Sequence, residues 1–555
     1  MGCGASNPDL IYNNDKENYF LPPSIDRIEI TISPSVDKNK KTLKEPELIR
    51  LPFNISDTAK ERGITDEGSR FCSFVDERDV GVETNEEKLM ASLKVNRPFK
   101  DEAEFPIEKA LRLSCDNDSI YWVRPHETSS NPQLFVDGTS RTDVIQGTIG
   151  DCWLLSTAAT LAKRGDLIYK VVPQNQSLSP EDPEYNGVIR VRLWHFGKWT
   201  QVFIDDRLPS KNGSFICAKS LSEDEFWISM LEKAFAKMYG SYEAIEGGMP
   251  LEAMIDLTGG IAERYELKRD NIDQIYKYLR RSFVHQSFIT CSRKGEWRAS
   301  NIPEGNGLIR GHAYTVTGSY NVIYNGEKVY LLRIRNPWAD ENEWKGDWCD
   351  GDPKWDNISK ETKRSIGLHK RYDGEFWMDY YKDFFKEFTD VTICTLGPDL
   401  DNDGSADSGS ISKILYGEWI TGISAGGSRN NLISFATNPQ YILTINQPDD
   451  QDTVCQVIIG LSQKYRRSKS KLTQIAFIMY KANSDEPGRR LDVSHFSLNY
   501  DVGSSGTYIN YRDVFKRFEL SPGYYVLIPA TFESGVEREF MIRVFAGQDF
   551  QICKI

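Results

Sequence analysis

The order of apolar and polar positions divides the chain into regions of different kind. From Met1 to about Arg50, Asn, Asp, Lys, Pro and Ser dominate and no apolar period is sustained, as expected of an extended or disordered arm. From about Leu51 to Leu396 helical and strand-like patterns mix. Within that stretch, Gln146 to Gly165 reads as a glycine-bearing loop and then an apolar helix that begins at Cys152 and that Gly165 stops. Two alternating runs, Gly311 to Gly318 and Lys328 to Arg335, flank Asn325-Gly326, a strong hairpin signal. A polar stretch from Gly397 to Ser410 marks a boundary. Beyond it, the segments at Tyr441–Ile445, Thr473–Tyr480, Tyr524–Ile528 and Phe540–Phe545 are short, β-rich and separated by turn residues, which predicts an antiparallel sandwich. No internal repeat is evident.

A chain of 555 residues is too long for one core, so two to four domains are expected, and 39% hydrophobic residues suffice to build them. A net charge of -13 argues against a general affinity for phosphate backbones, so nucleic acid is not an expected partner. No apolar run approaches the ~20 residues of a spanning helix, and the N-terminus lacks a secretory signal, which predicts a cytosolic protein. Ten scattered cysteines without a C-x-x-C pair indicate neither a zinc site nor a disulfide framework. Gly2, Cys3 and Ser6 match the pattern for N-myristoylation with palmitoylation beside it, and two acyl chains would anchor the chain to a membrane. A chance match in a flexible tail is the alternative.

The candidate chemistry starts at Cys152. At a helix N-terminus, free N–H groups and the helix dipole favour thiolate, which predicts a lowered pKa and a usable nucleophile. Gly147 and Gly150 allow close backbone approach, and Gln146 could return its side-chain amide to the same point, donating with the Cys152 N–H to an oxyanion. Of the six histidines, His312 is the best partner because it opens the first strand of the hairpin, while the second leads into Asn336-Pro337-Trp338. If Tyr324 pairs with Glu327, Asn336 faces Thr315, about 10 Å from His312, so a bulge or bend near Gly318 must close the gap. Asn336 accepting from one imidazole nitrogen would leave the other for Cys152, with Trp338 shielding the bond. Singly, these residues read as a buried thiol, a core histidine and a turn residue; together they form the set that covalent acyl transfer requires.

These segments resemble the calpain family: the Gln146 to Leu155 loop, Gly311-His-Ala-Tyr-Thr-Val-Thr-Gly318, Arg335-Asn-Pro-Trp338 and Asp373-Gly-Glu-Phe-Trp-Met378, with further matches at Tyr121 to Pro125, Phe135 to Gly138, Glu225 to Trp227 and Leu231 to Ala234. The resemblance covers roughly residues 70 to 550 and implies an α+β chain with a two-lobed, papain-like protease core followed by an antiparallel β-sandwich. The corresponding domains are an arm at 1–50, a helical first lobe at 51–258 with Cys152 and Gln146, a β-rich second lobe at 259–397 with His312, Asn336 and Trp338, a linker at 398–410 and the sandwich at 411–555.

The same resemblance implies calcium as cofactor. Its first site would use the Val136 and Gly138 carbonyls with Asp143 and Glu225, and its second Glu343, Asp350, the Arg371 carbonyl, Asp373 and Glu375. Such oxygen-only sets suit a hard cation. Two departures stand out: Ala339 follows Trp338 where the family usually has glycine, and the stretch from Ala339 to Asn342 is one residue longer than usual. The sequence stops at Ile555 after the sandwich, so the expectation is a monomer without an EF-hand small subunit. Five basic residues from Lys464 to Lys471 and three acidic ones from Asp449 to Asp452 read as solvated loops, the basic one with a conceivable membrane role.

The leading expectation is a calcium-dependent intracellular cysteine endopeptidase acting on protein substrates by limited proteolysis. The rivals are a catalytically silent, calcium-responsive membrane adaptor and an enzyme that transfers the acyl group to an amine rather than to water.

Overall fold

The computed structural model describes residues 98–111, 120–268, 271–284, 287–295, 302–368, 373–397, 410–449, 453–465, 471–483 and 485–555. These all belong to one compact unit, Ile64–Ile555. Gly2, Cys3, the N-terminal arm, Arg371 and most of the 398–410 linker lie outside the described residues.

The first lobe is built around two apolar helices, α1 (Cys152–Leu161) and, after α2 (Gly165–Val171), α3 (Trp227–Tyr239). Nine of the ten residues of α1 are buried, so the helix is apolar all round and runs through the core. The helix predicted to stop at Gly165 ends earlier. It closes in tight turns, Lys163 N–H to Thr160 O and Arg164 N–H to Leu161 O, and Gly165 instead opens α2. α4 (Pro250–Thr258) packs against α1 and stops at Gly259, whose φ of 68° is the left-handed cap that glycine adopts freely. The lobe is less purely helical than expected: between the helices stand β1 (Ile120–Val123), the hairpin of β2 (Val188–His195) and β3 (Lys198–Asp205), β4 (Leu208–Lys211) and β5 (Ser214–Phe215).

The second lobe is a six-stranded antiparallel sheet in the order β10-β9-β8-β7-β11-β6, with α5 (Ile272–Val284) packed on it. Its strands are β6 (Ile261–Glu266), β7 (Phe288–Ser292), β8 (Ala313–Tyr324), β9 (Glu327–Arg335), β10 (Glu375–Asp379) and β11 (Asp390–Thr395). Asn325 (φ 52°) and Gly326 (φ 84°) make the two-residue turn between β8 and β9, and Tyr324 pairs with Glu327. The register then slips by one residue between Val316 and Gly318, so Thr315 faces Arg335. That bulge at Thr317 is the irregularity the spacing of His312 and Asn336 demands.

The remaining chain forms the expected sandwich of two antiparallel sheets, one of four strands and one of five, between Ile411 and Lys554. Their inner faces enclose one apolar core that includes Trp419, Leu443, Ile459, Phe477, Leu527 and Phe540. Among the described residues all seven cysteines are free thiols, and no helix is long and apolar enough to cross a membrane.

Candidate active site

The two lobes meet where α1 runs against β7 and β8. Thr315 Oγ1 donates to Ser156 O at 2.7 Å, and Gln146 N–H donates to Pro337 O at 3.0 Å, so the loop before α1 touches the segment after β9. Gly147 is needed in that loop: a Cβ there would lie 2.3 Å from Ile216 O and 2.4 Å from Cys217 O.

His312 and Asn336 sit at the paired ends of β8 and β9, 3% and 0% exposed. The bulge removes one residue of their offset, and the turns that carry each residue just outside its strand remove the rest. His312 Nε2 lies 2.8 Å from Asn336 Oδ1. The Asn336 amide is oriented by two further bonds: Oδ1 also accepts the Trp338 N–H at 3.1 Å, and Nδ2 donates to Asn342 O at 3.3 Å. Since Oδ1 can only accept, His312 must carry its proton on Nε2, which leaves Nδ1 as the lone-pair nitrogen. The Trp338 ring stands edge-on to the imidazole, centroids 5.3 Å apart.

Cys152 occupies the first position of α1 and shares a cleft of about 680 Å³ with Gly247, Met249, His312 and Ala313. The expectation of a lowered thiol pKa is not met. Burial pushes Cys152 up from 9.0 to about 12; the Ala313 N–H bonded to its sulfur opposes this and the neighbouring Asp151 carboxyl adds to it. A helix dipole is worth about 0.3–1 kcal/mol, under about one pKa unit, so burial wins. Burial likewise lowers His312 to about 4, against the upward pull of its bond to Asn336. Both shifts favour the neutral thiol and the neutral imidazole, Cys152 being half-buried and His312 buried, and no hydrogen bond joins them among the described residues. Gln146 points away from the oxyanion position: Nε2 donates to Ile149 O at 2.7 Å, and Oε1 is buried without a donor.

Of the nine residues named for cations, Arg371 lies outside the described set, Glu375 stands apart, and the other seven form two groups. Glu225 accepts the Val136 N–H at 3.0 Å and the Ser220 hydroxyl at 2.5 Å. Burial, together with the nearby Asp143 charge, drives Glu225 up to about 7, and burial raises Asp143 too. Beside them Asp137 (φ 54°) and Gly138 (φ 94°) curl the 136–138 loop through two left-handed residues. In the second lobe, Glu343 accepts the Gly374 N–H at 2.9 Å and is driven up to about 8 by burial, then by Asp350 and Asp373. Burial and the neighbouring carboxylates raise Glu225 and Glu343, Arg335 opposes the rise at Asp143, and the oxygen-only chemistry of both groups fits a hard divalent cation. Among the described residues, however, no three such side chains converge into a ready-made cage.

Glu375 is placed differently from the other carboxylates: Arg141 holds it bidentately at 2.7 and 2.8 Å across the lobe boundary. Sequence reading missed Arg141, whose partner is 234 residues away. It also missed Ala313, a residue whose contribution is its backbone N–H and so leaves no side-chain signal. Ala339 adopts φ 54°, which accounts for the glycine usual at that position, and Gly374 packs its Cα side against it.

A helix-start thiol and an Asn-held histidine on opposite walls of one cleft define a thiol hydrolase of the two-lobed kind. Residues 99–395 match the model of the calpain family cysteine protease, and residues 415–545 that of the calpain large subunit, domain III. The chain is 40% identical over 480 residues to Calpain-A of Drosophila melanogaster, covering 84% of this chain and 57% of that protein. It is 40% identical over 441 residues to Calpain clp-1 of Caenorhabditis elegans (77% and 56%), and 37% identical over 467 residues to the Calpain-1 catalytic subunit of Mus musculus (81% and 64%). The chain belongs to the calpain family of cysteine proteases, and it spans less than two thirds of the length of these relatives.

Proposed function

We propose that this chain carries out calcium-dependent limited proteolysis of protein substrates. The observation that supports this best is the His312–Asn336 bond, whose geometry leaves Nδ1 free to take the Cys152 proton in the shared cleft. The thiol proton passes to Nδ1, the sulfur bonds to the peptide carbonyl carbon, and the C–N bond breaks as the amine takes the proton from His312. Water then gives its proton to Nδ1 and its oxygen to the acyl carbon, and the thiol is restored on release of the acid. Gln146 Nε2, swung from Ile149 O, and the Cys152 N–H would hold the oxyanion. Asp143 and Glu225 with the Val136 and Gly138 carbonyls, and Glu343, Asp350 and Asp373, would hold calcium, whose charge would offset the crowding that raises Glu225 and Glu343.

The absence of a bond between Cys152 and His312 supports a resting form that requires realignment of the lobes. Acylation at Gly2 and Cys3 would bring the enzyme to a membrane face, and mass measurement of the N-terminal peptide tests that separately. The principal test is casein hydrolysis with and without calcium. Wild type should cleave only with the ion and Cys152→Ala should not cleave. A wild type that never cleaves, with Cys152 equally reactive with and without calcium, would support an adaptor instead. Peptide joined to added amine in place of free acid would support acyl transfer.

A further inference from the structure

Beneath the nucleophile lies a pair of acids for which the catalytic scheme has no use. Asp151 precedes Cys152 and is 0% exposed; its carbonyl accepts the Leu154 and Leu155 N–H groups at 2.8 and 3.1 Å, but its side chain does not cap α1. Glu232, on α3, is also 0% exposed, and its Oε2 accepts the Ala218 N–H at 2.9 Å. The two carboxyls stand close enough for each to act on the ionisation of the other. Both Asp151 oxygens and Glu232 Oε1 are buried without a hydrogen-bond donor. Two carboxylates offer each other only lone pairs, so this contact can be satisfied only by a proton between them.

The surroundings supply no alternative. The titratable groups that face the pair are the Cys152 thiol, Cys217 on the loop after β5, the Tyr242 hydroxyl, itself buried without a partner, and Glu246 before α4. The nearest cation on α3, Lys233, is committed to Asp205 Oδ1 at 2.5 Å and to the Asp205 and Arg207 carbonyls. Burial raises both acids, and the Asp151 charge opposes ionisation of Cys152.

We propose that Asp151 and Glu232 share one proton directly under Cys152, and that where the remaining negative charge resides positions the nucleophile loop and tunes how readily the thiol ionises. They are positioning residues, since neither touches substrate. The proposal rests on Cys152 being the nucleophile, and both readouts below work without turnover, so it fails separately from that reading.

An amide can replace the shared proton as donor, which fixes the charge on the other partner. Asp151→Asn moves it to Glu232, farther from the sulfur; Glu232→Gln moves it to Asp151, beside the sulfur. The experiment is the pH profile of iodoacetamide alkylation of Cys152 in the full chain, followed by mass spectrometry of the Cys152 peptide. D151N should shift the profile to lower pH by about one unit, roughly tenfold in rate at fixed pH, and E232Q should shift it the opposite way. Infrared difference spectra near neutral pH should show a protonated-carboxyl band in wild type that either variant loses. Shifts in the same direction, or an unchanged profile with only altered thermal stability, would overturn the proposal. Should D151N fail to fold, E232Q decides alone: an unmoved alkylation profile, or a wild-type-minus-E232Q spectrum without a protonated-carboxyl band, sinks it.

Discussion

Between the protease core and the sandwich, Arg512 is buried among oxygens, whereas between the two lobes of the core the charges are partly exposed and out of balance. Arg512 donates to Asp256 (2.8 Å), Tyr239 (2.7 Å), Glu252 O (3.1 Å) and Asp513 (2.7 Å). Arg543 reaches Gly259 O and Gly260 O at 2.7 and 3.0 Å, placing a cation at the C-terminal end of α4. Ile261, Ile458 and Phe545 close that seam with apolar contact. At the lobe boundary, Arg141, Arg333 and Arg335 gather around Glu375, and Arg335 is lowered to about 10, first by burial. Thr315 and Arg335 there donate to backbone carbonyls, at Ser156 and Val144, and Arg335 Nη1 has no acceptor. Arg512, held by the Asp256 and Asp513 carboxylates, fixes one geometry, since any slip strands a charge; Arg543 beside it, like Arg335, is lowered to about 10 by burial and leaves one nitrogen, Nε, without an acceptor. Across the lobe boundary Thr315 and Arg335 bond only to single carbonyls, which would tolerate the realignment proposed above more readily than the Arg512 cluster would. Because α4 packs on α1, the rigid seam also braces the helix that carries Cys152.

The largest effect should come from the rigid seam. Asp256→Ala leaves Arg512 buried with one anion fewer and should cost about 3–5 kcal/mol in denaturant unfolding. A loss under about 1 kcal/mol would mean that this seam is no more committed than the other.

Next in size is a pH effect confined to the lobe boundary. His312 is lowered to about 4 against 6.5 unfolded, so the folded state binds fewer protons between those values. Its contribution is therefore constant above about pH 6.5 and is lost as pH falls toward 4, by about 3 kcal/mol. His312→Gln should show a shallower loss of stability than wild type between pH 6.5 and 4; identical slopes would place the imidazole in water.

The chain carried some of this contrast openly and hid the rest. Asn325-Gly326 dictates its turn through two positive φ values, and pairing Tyr324 with Glu327 left His312 and Asn336 out of reach without a bulge, so the irregularity at Thr317 was legible as arithmetic. The strand at Tyr441–Ile445 was legible as β-branched and aromatic residues between turns. Burial was not: the start of α1 announces a dipole, but the several-fold larger desolvation of Cys152 depends on β8 arriving from elsewhere. Neither Arg141 with Glu375 nor Arg512 with Asp256 leaves a local pattern, because each pair joins segments more than 200 residues apart.

A smaller change should sharpen the picture of the lobe boundary. Ala339 holds a left-handed φ that costs an L-residue about 1–2 kcal/mol, offset in part by the chain entropy glycine adds. Ala339→Gly should raise the midpoint of urea unfolding by an amount worth up to about 1 kcal/mol. A lower midpoint would mean that the Ala339 methyl contributes packing that outweighs the strain.

The smallest effect on stability should accompany a clear effect on function. Arg141 and Glu375 are 29% and 13% exposed, so solvent screens their attraction, and a pair of this kind is worth about 0.2–1 kcal/mol. Arg141→Ala should therefore unfold within about 1 kcal/mol of wild type, Glu375 keeping Arg333 at 3.7 Å as a second cation. Yet Arg141 is the side chain that ties the 141–143 turn, next to Asp143, to β10, which starts two residues after Asp373. Its loss should raise the calcium concentration needed for half-maximal casein hydrolysis and leave cleavage at saturating ion closer to wild type, as expected of a link between two cation groups. If hydrolysis falls equally at every calcium concentration, the pair shapes the cleft itself; if nothing changes, the lobes align without it, and the contrast between the two seams rests on the buried arginines alone.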